Sequence, residues 1–400
     1  MFQRKRGKKG VPFLRVQIKT ILSTAIALLA GFNILVLQRA TKSATPLTHT
    51  RPLLILHVGP PKTGTTSLQH SLNLFQSELL QDGYYYMGNS STVQDFSRCM
   101  NRLKNPKSKG TECWYDFAGT LERHRRLGHN VIASNEVISL HAQLNELFWK
   151  LLQDALRAWL PHVLVVVSYR HLHNFLPSTH FELQKNQRWP SAREKGKFVT
   201  PFVKFWKTKY NRDLQMSGPI PTPAAVLSRF RNSSYDVSIL DIENKEQISE
   251  FFCAILTNAP TACRALRNQT SAPQLNRNDG GQVNYDALAL LAWQREFLKR
   301  DQTRRYLRNK IKDFNEKTMK RTPTHFPLEC MTDLQEAMLW NESVVHAQQV
   351  GLPLDANMLK AMRQDFDRTK SKKKLCTINA TAALEMPEWL DFFSKAKTKW

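Results

Sequence analysis

Four uncharged or nearly uncharged apolar runs of strand length lie between residues 50 and 245, and each is followed by a segment with helical periodicity. LLILHV (53–58) is a continuous apolar run, and that continuity predicts a strand buried on both faces, as in a parallel sheet. Gly-Pro-Pro and Gly-Thr-Thr then predict a turn, with Thr65 and Thr66 set to cap a helix that SLQHSLNLF begins; Leu68, Leu72 and Phe75 would share its buried face. NVIAS (130–134) predicts a second buried strand. LNELFWKLLQDALRAWL (144–160) predicts an amphipathic helix stopped at Pro161. HVLVVVSY (162–169), with four valines and a leucine, is the strongest strand signal; it runs into Arg170 and a helical stretch to about Asn186. YDVSILDI (235–242) precedes the helix EQISEFFCAIL.

Strands alternating with helices predict an α/β three-layer sandwich around a mainly parallel central sheet. Ligands in such sheets bind at the carboxyl ends of the strands. Those ends are Gly59 to Ser67, Asn135 to Ser139, and Arg170 onward. Residues 285–320 predict one long helix whose later half, KRDQTRRYLRNKIKD, reads as a solvated basic face, with a docking surface for an acidic acceptor as the alternative, and Lys370 to Lys374 predicts a basic loop. No internal repeat, extended low-complexity tract or zinc-ligand spacing is evident.

The start of the chain breaks this rhythm. Seven cations, Arg4, Lys5, Arg6, Lys8, Lys9, Arg15 and Lys19, precede the uncharged run ILSTAIALLAGFNILVL (21–37). A spanning helix needs roughly 17–25 residues, whereas a cleaved signal peptide has an apolar region of about 7–15. Length favours a signal-anchor. The organisation expected is a basic cytosolic tail (1–19), a transmembrane segment (20–38), a short stem (39–51) and a luminal domain (52–400), oriented as a type II protein by the positive-inside rule.

Six cysteines lie beyond the anchor, an even number that suits disulfides in an oxidising lumen. Cys253 and Cys263 are the expected pair, because a short loop containing Pro260 joins them; the competing reading is that several cysteines are buried thiols. Glycosylation sequons begin at Asn89, Asn232, Asn268, Asn341 and Asn379. The net charge of +25 remains strongly positive without the N-terminal cluster and favours an anionic partner. The 42% hydrophobic content is enough for a substantial core and argues against disorder.

HVGPPKTGTTS (57–67) carries candidate chemistry. The spacing from Gly59 to Gly64 is that of a phosphate-binding loop, but Thr65 stands where a Walker A loop has lysine, and the lysine is at Lys62. Backbone N–H groups, a helix N-terminus, the Lys62 ammonium and the hydroxyls of Thr65, Thr66 and Ser67 would converge on one anion. No Walker B-like aspartate is expected at the end of a later apolar strand, since HVLVVVSY ends in Tyr169-Arg170, which disfavours magnesium-dependent nucleotide chemistry.

PKTGTTS resembles the 5′-phosphosulfate loop of sulfotransferases that use 3′-phosphoadenylyl sulfate (PAPS), enzymes similar in fold to P-loop nucleotide kinases. Their second signature is a strand-end arginine followed eight residues later by a serine, and VVVSYRHLHNFLPSTHFEL supplies Arg170 and Ser178 at that spacing. The match covers about residues 52–185. The resemblance implies donor contacts from Pro61, Lys62, Thr63, Gly64, Thr65, Thr66, Ser67, Arg170 and Ser178, with PAPS as donor co-substrate and no metal. It implies a Golgi membrane sulfotransferase acting on a hydroxyl of an anionic or neutral glycan, with no nucleic-acid partner; a protein tyrosine is the alternative acceptor.

Sulfuryl transfer to a hydroxyl needs a base. Glu136, at the end of NVIAS, is the first candidate, and its alternative role is a helix-start carboxylate favoured by the dipole. His141 and Asp116 follow; His57 reads as a packing residue and His70 as an exposed helix residue. The glycine-containing basic loop that closes over the nucleotide in heparan-type relatives has only LNRNDGGQVNY (275–285) as a counterpart, with Arg277, Gly280 and Gly281. Two other classes remain open: a luminal ATP-dependent kinase, and a non-catalytic glycan-binding protein on the same scaffold.

Overall fold

Five parallel strands form the central sheet: β1 (Leu54–Val58), β2 (Tyr84–Tyr86), β3 (Asn130–Ser134), β4 (Val163–Tyr169) and β5 (Asp236–Asp241), in the order β2-β3-β1-β4-β5. Register is continuous across the centre, where Leu54 aligns with Val131 of β3 on one side and Val163 of β4 on the other. This computed structural model describes residues 52–88, 112–185, 201–207, 221–233, 235–244, 246–269, 285–297, 304–318 and 327–399. The expected tail, anchor and stem, the Asn89 sequon, Cys99 and residues 275–284 lie outside them. Among the described residues no helix is long and apolar enough to cross a membrane.

The sheet is buried on both faces, which is why its strands lack an alternating polar pattern. Leu54, Leu56 and Val58 of β1 face one core, with Val131, Val165 and Val167. Helices α2 (Glu112–Arg126), α3 (Glu136–Leu144) and α4 (Glu146–Arg157) contribute to that core, as do α6 (Pro223–Arg231) and α10 (Asp333–Val350). Ile55 and Val166 face the opposite core, which receives Leu68 and Leu72 of α1 (Thr65–Leu74), Phe251 and Phe252, and Ala262 and Leu266 of α7 (Pro260–Arg267). Helices thus cover both faces of the parallel sheet.

The expected helix over 144–160 is shorter, because the Asn145 side chain accepts from Phe148 N and starts α4 afresh after α3. The expected single helix over 285–320 is two, α8 (Tyr285–Gln294) and α9 (Arg304–Asp313); the first stops near Glu296, whose backbone adopts φ 62°. Lys370 is not on a loop: it lies in the last turn of α11 (Ala356–Ser371), where it pairs with Glu336 and Asp333, and only Lys372 to Lys374 form a turn. β6 (Leu328–Cys330) and β7 (Cys376–Ile378) make a two-stranded antiparallel ribbon, each strand too short for a periodic signal. Helix α5 (Leu172–Lys185) follows β4 as expected, and α12 (Pro387–Lys399) ends the described chain.

The Cys253–Cys263 disulfide is present, and Cys330–Cys376 joins β6 to β7.

Candidate functional site

The loop 59–64 leaves β1 at the centre of the sheet and enters α1. Two residues define its path: Lys62, at φ 77°, and Gly64, at φ 73°, both lie in the left-handed region. Gly64 suits that conformation; Lys62 adopts it at a cost of roughly 1–2 kcal/mol. A Cβ on Gly59 would sit 2.6 Å from Thr63 Oγ1 and 2.7 Å from Ser168 Cβ, so the loop folds tightly over the end of β4. Thr63 Oγ1 donates to Pro60 O at 2.7 Å and closes the turn from within.

The expected capping by Thr65 and Thr66 is corrected. Helix α1 is capped by the Gly64 backbone without a side-chain bond, since the left-handed turn carries the chain directly into the helix. The Thr65 hydroxyl instead donates to Glu136 Oε2 at 3.2 Å, while Thr66 is exposed and Ser67 is buried. Glu136 opens α3 immediately after Asn135, whose side chain accepts from Val137 N; β3 therefore delivers Glu136 to the edge of the loop. Ser139, one turn on, donates to Gly59 O at 2.9 Å and ties α3 to the loop.

Arg170 follows β4, the other neighbour of β1. Its Nη1 donates to the Lys62 carbonyl at 3.0 Å across 108 residues of sequence. The Lys62 ammonium lies 2.9 Å from Glu182 Oε2, and Arg170 Nε lies 3.4 Å from Glu243 Oε1. Ser178 is half-buried on α5, one helical turn before Glu182 and so on the same face. Lys62, Glu136 and Arg170 are thus gathered around one loop.

The other candidate bases are placed differently. His141 is buried, edge-on to Phe148. Asp116 and His70 are exposed, on α2 and α1. His57 is fully buried beneath the loop, 2.7 Å from both Ser134 Oγ and Ser168 Oγ; it links β3, β1 and β4, and burial pushes its pKa down to about 3. It is a packing residue, as its position in the apolar run suggested.

Three participants were not legible in the motif. Glu182 and Glu243 are the carboxylates that face the two cations; the signals for them were only an i+4 spacing from Ser178 and a position just past β5. Lys374 approaches Arg170, and burial first, then the charge of Arg170, hold its ammonium below the usual lysine range. The expectation that no later strand ends in an aspartate is corrected: Asp241 closes β5, and burial raises its pKa. It stands two strands from β1, whereas β3, on the loop's other side, ends in Ser134.

No family of known proteins, no characterised protein and no solved structure matches this chain in comparison.

Proposed function

We propose that this chain is a PAPS-dependent sulfotransferase with a P-loop kinase-like sulfotransferase fold, transferring a sulfuryl group to a hydroxyl of a carbohydrate acceptor. The observation that supports the reading is the contact between Arg170 and the Lys62 carbonyl, which brings the two halves of the resemblance side by side. Lys62 and the start of α1 would hold the 5′-phosphosulfate, and Arg170 with Ser178 the 3′-phosphate. The acceptor oxygen attacks sulfur in line, the bond from sulfur to the bridging phosphate oxygen breaks, and 3′,5′-adenosine bisphosphate leaves. Lys62 stabilises the charge that builds on that oxygen, and Glu136 takes the acceptor proton. Glu182 and Glu243 compete for the two cations, so donor binding requires exchanging these ion pairs for phosphate contacts. The basic N-terminal flank and apolar segment support placement as a type II Golgi protein, and the excess positive charge suits an anionic glycan.

Calorimetry on the full-length chain tests the donor. 3′,5′-Adenosine bisphosphate is expected to bind more tightly than ATP with magnesium, and Arg170→Ala to remove that preference. Equal or tighter binding of ATP would favour a kinase, and absence of binding by either would favour a glycan-binding scaffold.

A further inference from the structure

Immediately behind Arg170, the chain turns from β4 into α5 through His171, Leu172, His173 and Asn174. Both histidines are directed at Asp365 of α11: His171 Nδ1 lies 3.3 Å and His173 Nε2 3.1 Å from the same carboxylate oxygen, Oδ2. His173 is fully buried and His171 nearly so, and one ligand atom from each of the three residues falls within 4.8 Å of the others.

One contact lies within the N–H···O range of about 2.7–3.2 Å and the other just beyond it, so both rings bond Asp365, at the long end of that range. Two ligand atoms each about 2.0–2.1 Å from a zinc ion at the tetrahedral angle stand about 3.3–3.4 Å apart, close to the spacing of both pairs. The far ring atoms, His171 Nε2 and His173 Nδ1, are buried with no hydrogen-bond partner among the described residues, so shared contact with one oxygen is the polar anchor of both rings.

Charges of both signs surround the cluster: Glu243 Oε1 lies 3.4 Å from Arg170 Nε, and Arg368 Nη1 lies 3.8 Å from Asp365 Oδ1. Asn174 Nδ2 bonds both Glu243 Oε1 and Asp365 Oδ2, an outer contact of the kind that orients a ligating carboxylate. Two imidazoles and one carboxylate form a donor set for a borderline divalent ion such as zinc rather than for calcium or magnesium.

We propose that His171, His173 and Asp365 form a zinc(II) site that fastens α11 to the end of β4 and thereby fixes the backbone from which Arg170 projects. The ligands lie 194 and 192 residues apart across the fold, so spacing in sequence could not reveal them.

The test uses full-length protein stripped with a chelator and titrated with zinc(II), followed by calorimetry, and with cobalt(II), followed by visible absorption. One ion per chain is expected, with the d–d bands of a tetrahedral site and displacement of cobalt by zinc. His173→Gln and Asp365→Asn should each weaken binding by more than about 100-fold. Failure of the wild-type chain to bind stoichiometrically, or binding unchanged in both variants, would overturn the site. If the variants do not fold, zinc-edge X-ray absorption of the loaded wild type decides: two imidazoles and a carboxylate oxygen are expected, and any other protein ligand set refutes it. No arm involves a nucleotide, so the result is independent of the sulfotransferase reading.

Discussion

Lys62 combines two properties that mutation separates. Its ammonium is the cation of the loop, and its backbone is held at φ 77°. Lys62→Ala and Lys62→Gly are both expected to lower turnover by about 10²–10³, the scale of losing one preorganised electrostatic contact. Their melting temperatures should differ, because glycine relieves the left-handed strain and alanine keeps it. An active Lys62→Ala enzyme would sink the mechanism.

Glu136 and Glu182 separate in the same way. Glu136→Gln should retain bisphosphate binding and lose turnover, the pattern of a missing base. Glu182→Gln should bind the bisphosphate more tightly, since it releases Lys62 from a competing carboxylate 2.9 Å away. The check is binding and turnover measured side by side; unchanged turnover in Glu136→Gln would exclude it as the base, and a loss confined to Glu182→Gln would transfer the role.

At the scale of elements, the strand ends bring together what the loop alone cannot. β3 delivers Glu136 and β4 delivers Arg170 because both flank β1 in a parallel sheet, so all three open at the same edge. The ribbon of β6 and β7 is different: with three residues per strand it depends on its disulfide, which closes a separation of 46 residues. Chain-entropy reasoning assigns such a crosslink about 4 kcal/mol, against about 3 kcal/mol for Cys253–Cys263, whose separation is 10. Cys330→Ser with Cys376→Ser is therefore expected to lower the melting temperature more than Cys253→Ser with Cys263→Ser. Thermal denaturation of the two double variants, with and without reductant, makes the comparison.

For the whole molecule, the buried His57 predicts acid sensitivity. Its folded pKa of about 3 lies below the ordinary 6.5, so the unfolded chain binds the additional proton between those values. Its neutral form favours folding fully above about pH 6.5, and stability falls toward pH 3 by up to about 1.4 kcal/mol per pH unit from this group. Denaturant unfolding at pH 7, 5 and 4 should show that loss, and His57→Gln, which can still bond the Ser134 and Ser168 hydroxyls, should flatten it. A slope unchanged in the variant would assign the acid sensitivity elsewhere.

Sequence pattern alone determined the four principal strands, the parallel α/β architecture, the strand-turn-helix path through residues 54–74 and one disulfide. Each is a local consequence of apolar continuity, turn residues or short separation. It missed the three-residue strands, which lie below any period, and read one helix across 285–320, where an apolar and basic pattern continues past the break at Glu296. It also paired neither cation with its carboxylate. Only the tertiary structure decided that Glu182 faces Lys62, that Glu243 faces Arg170, and that His171 and His173 meet Asp365. Those contacts join strand ends, helix faces and a distant helix, and the physical reason is that charge pairs form wherever packing sets side chains within a few ångströms, a distance that linear spacing does not encode.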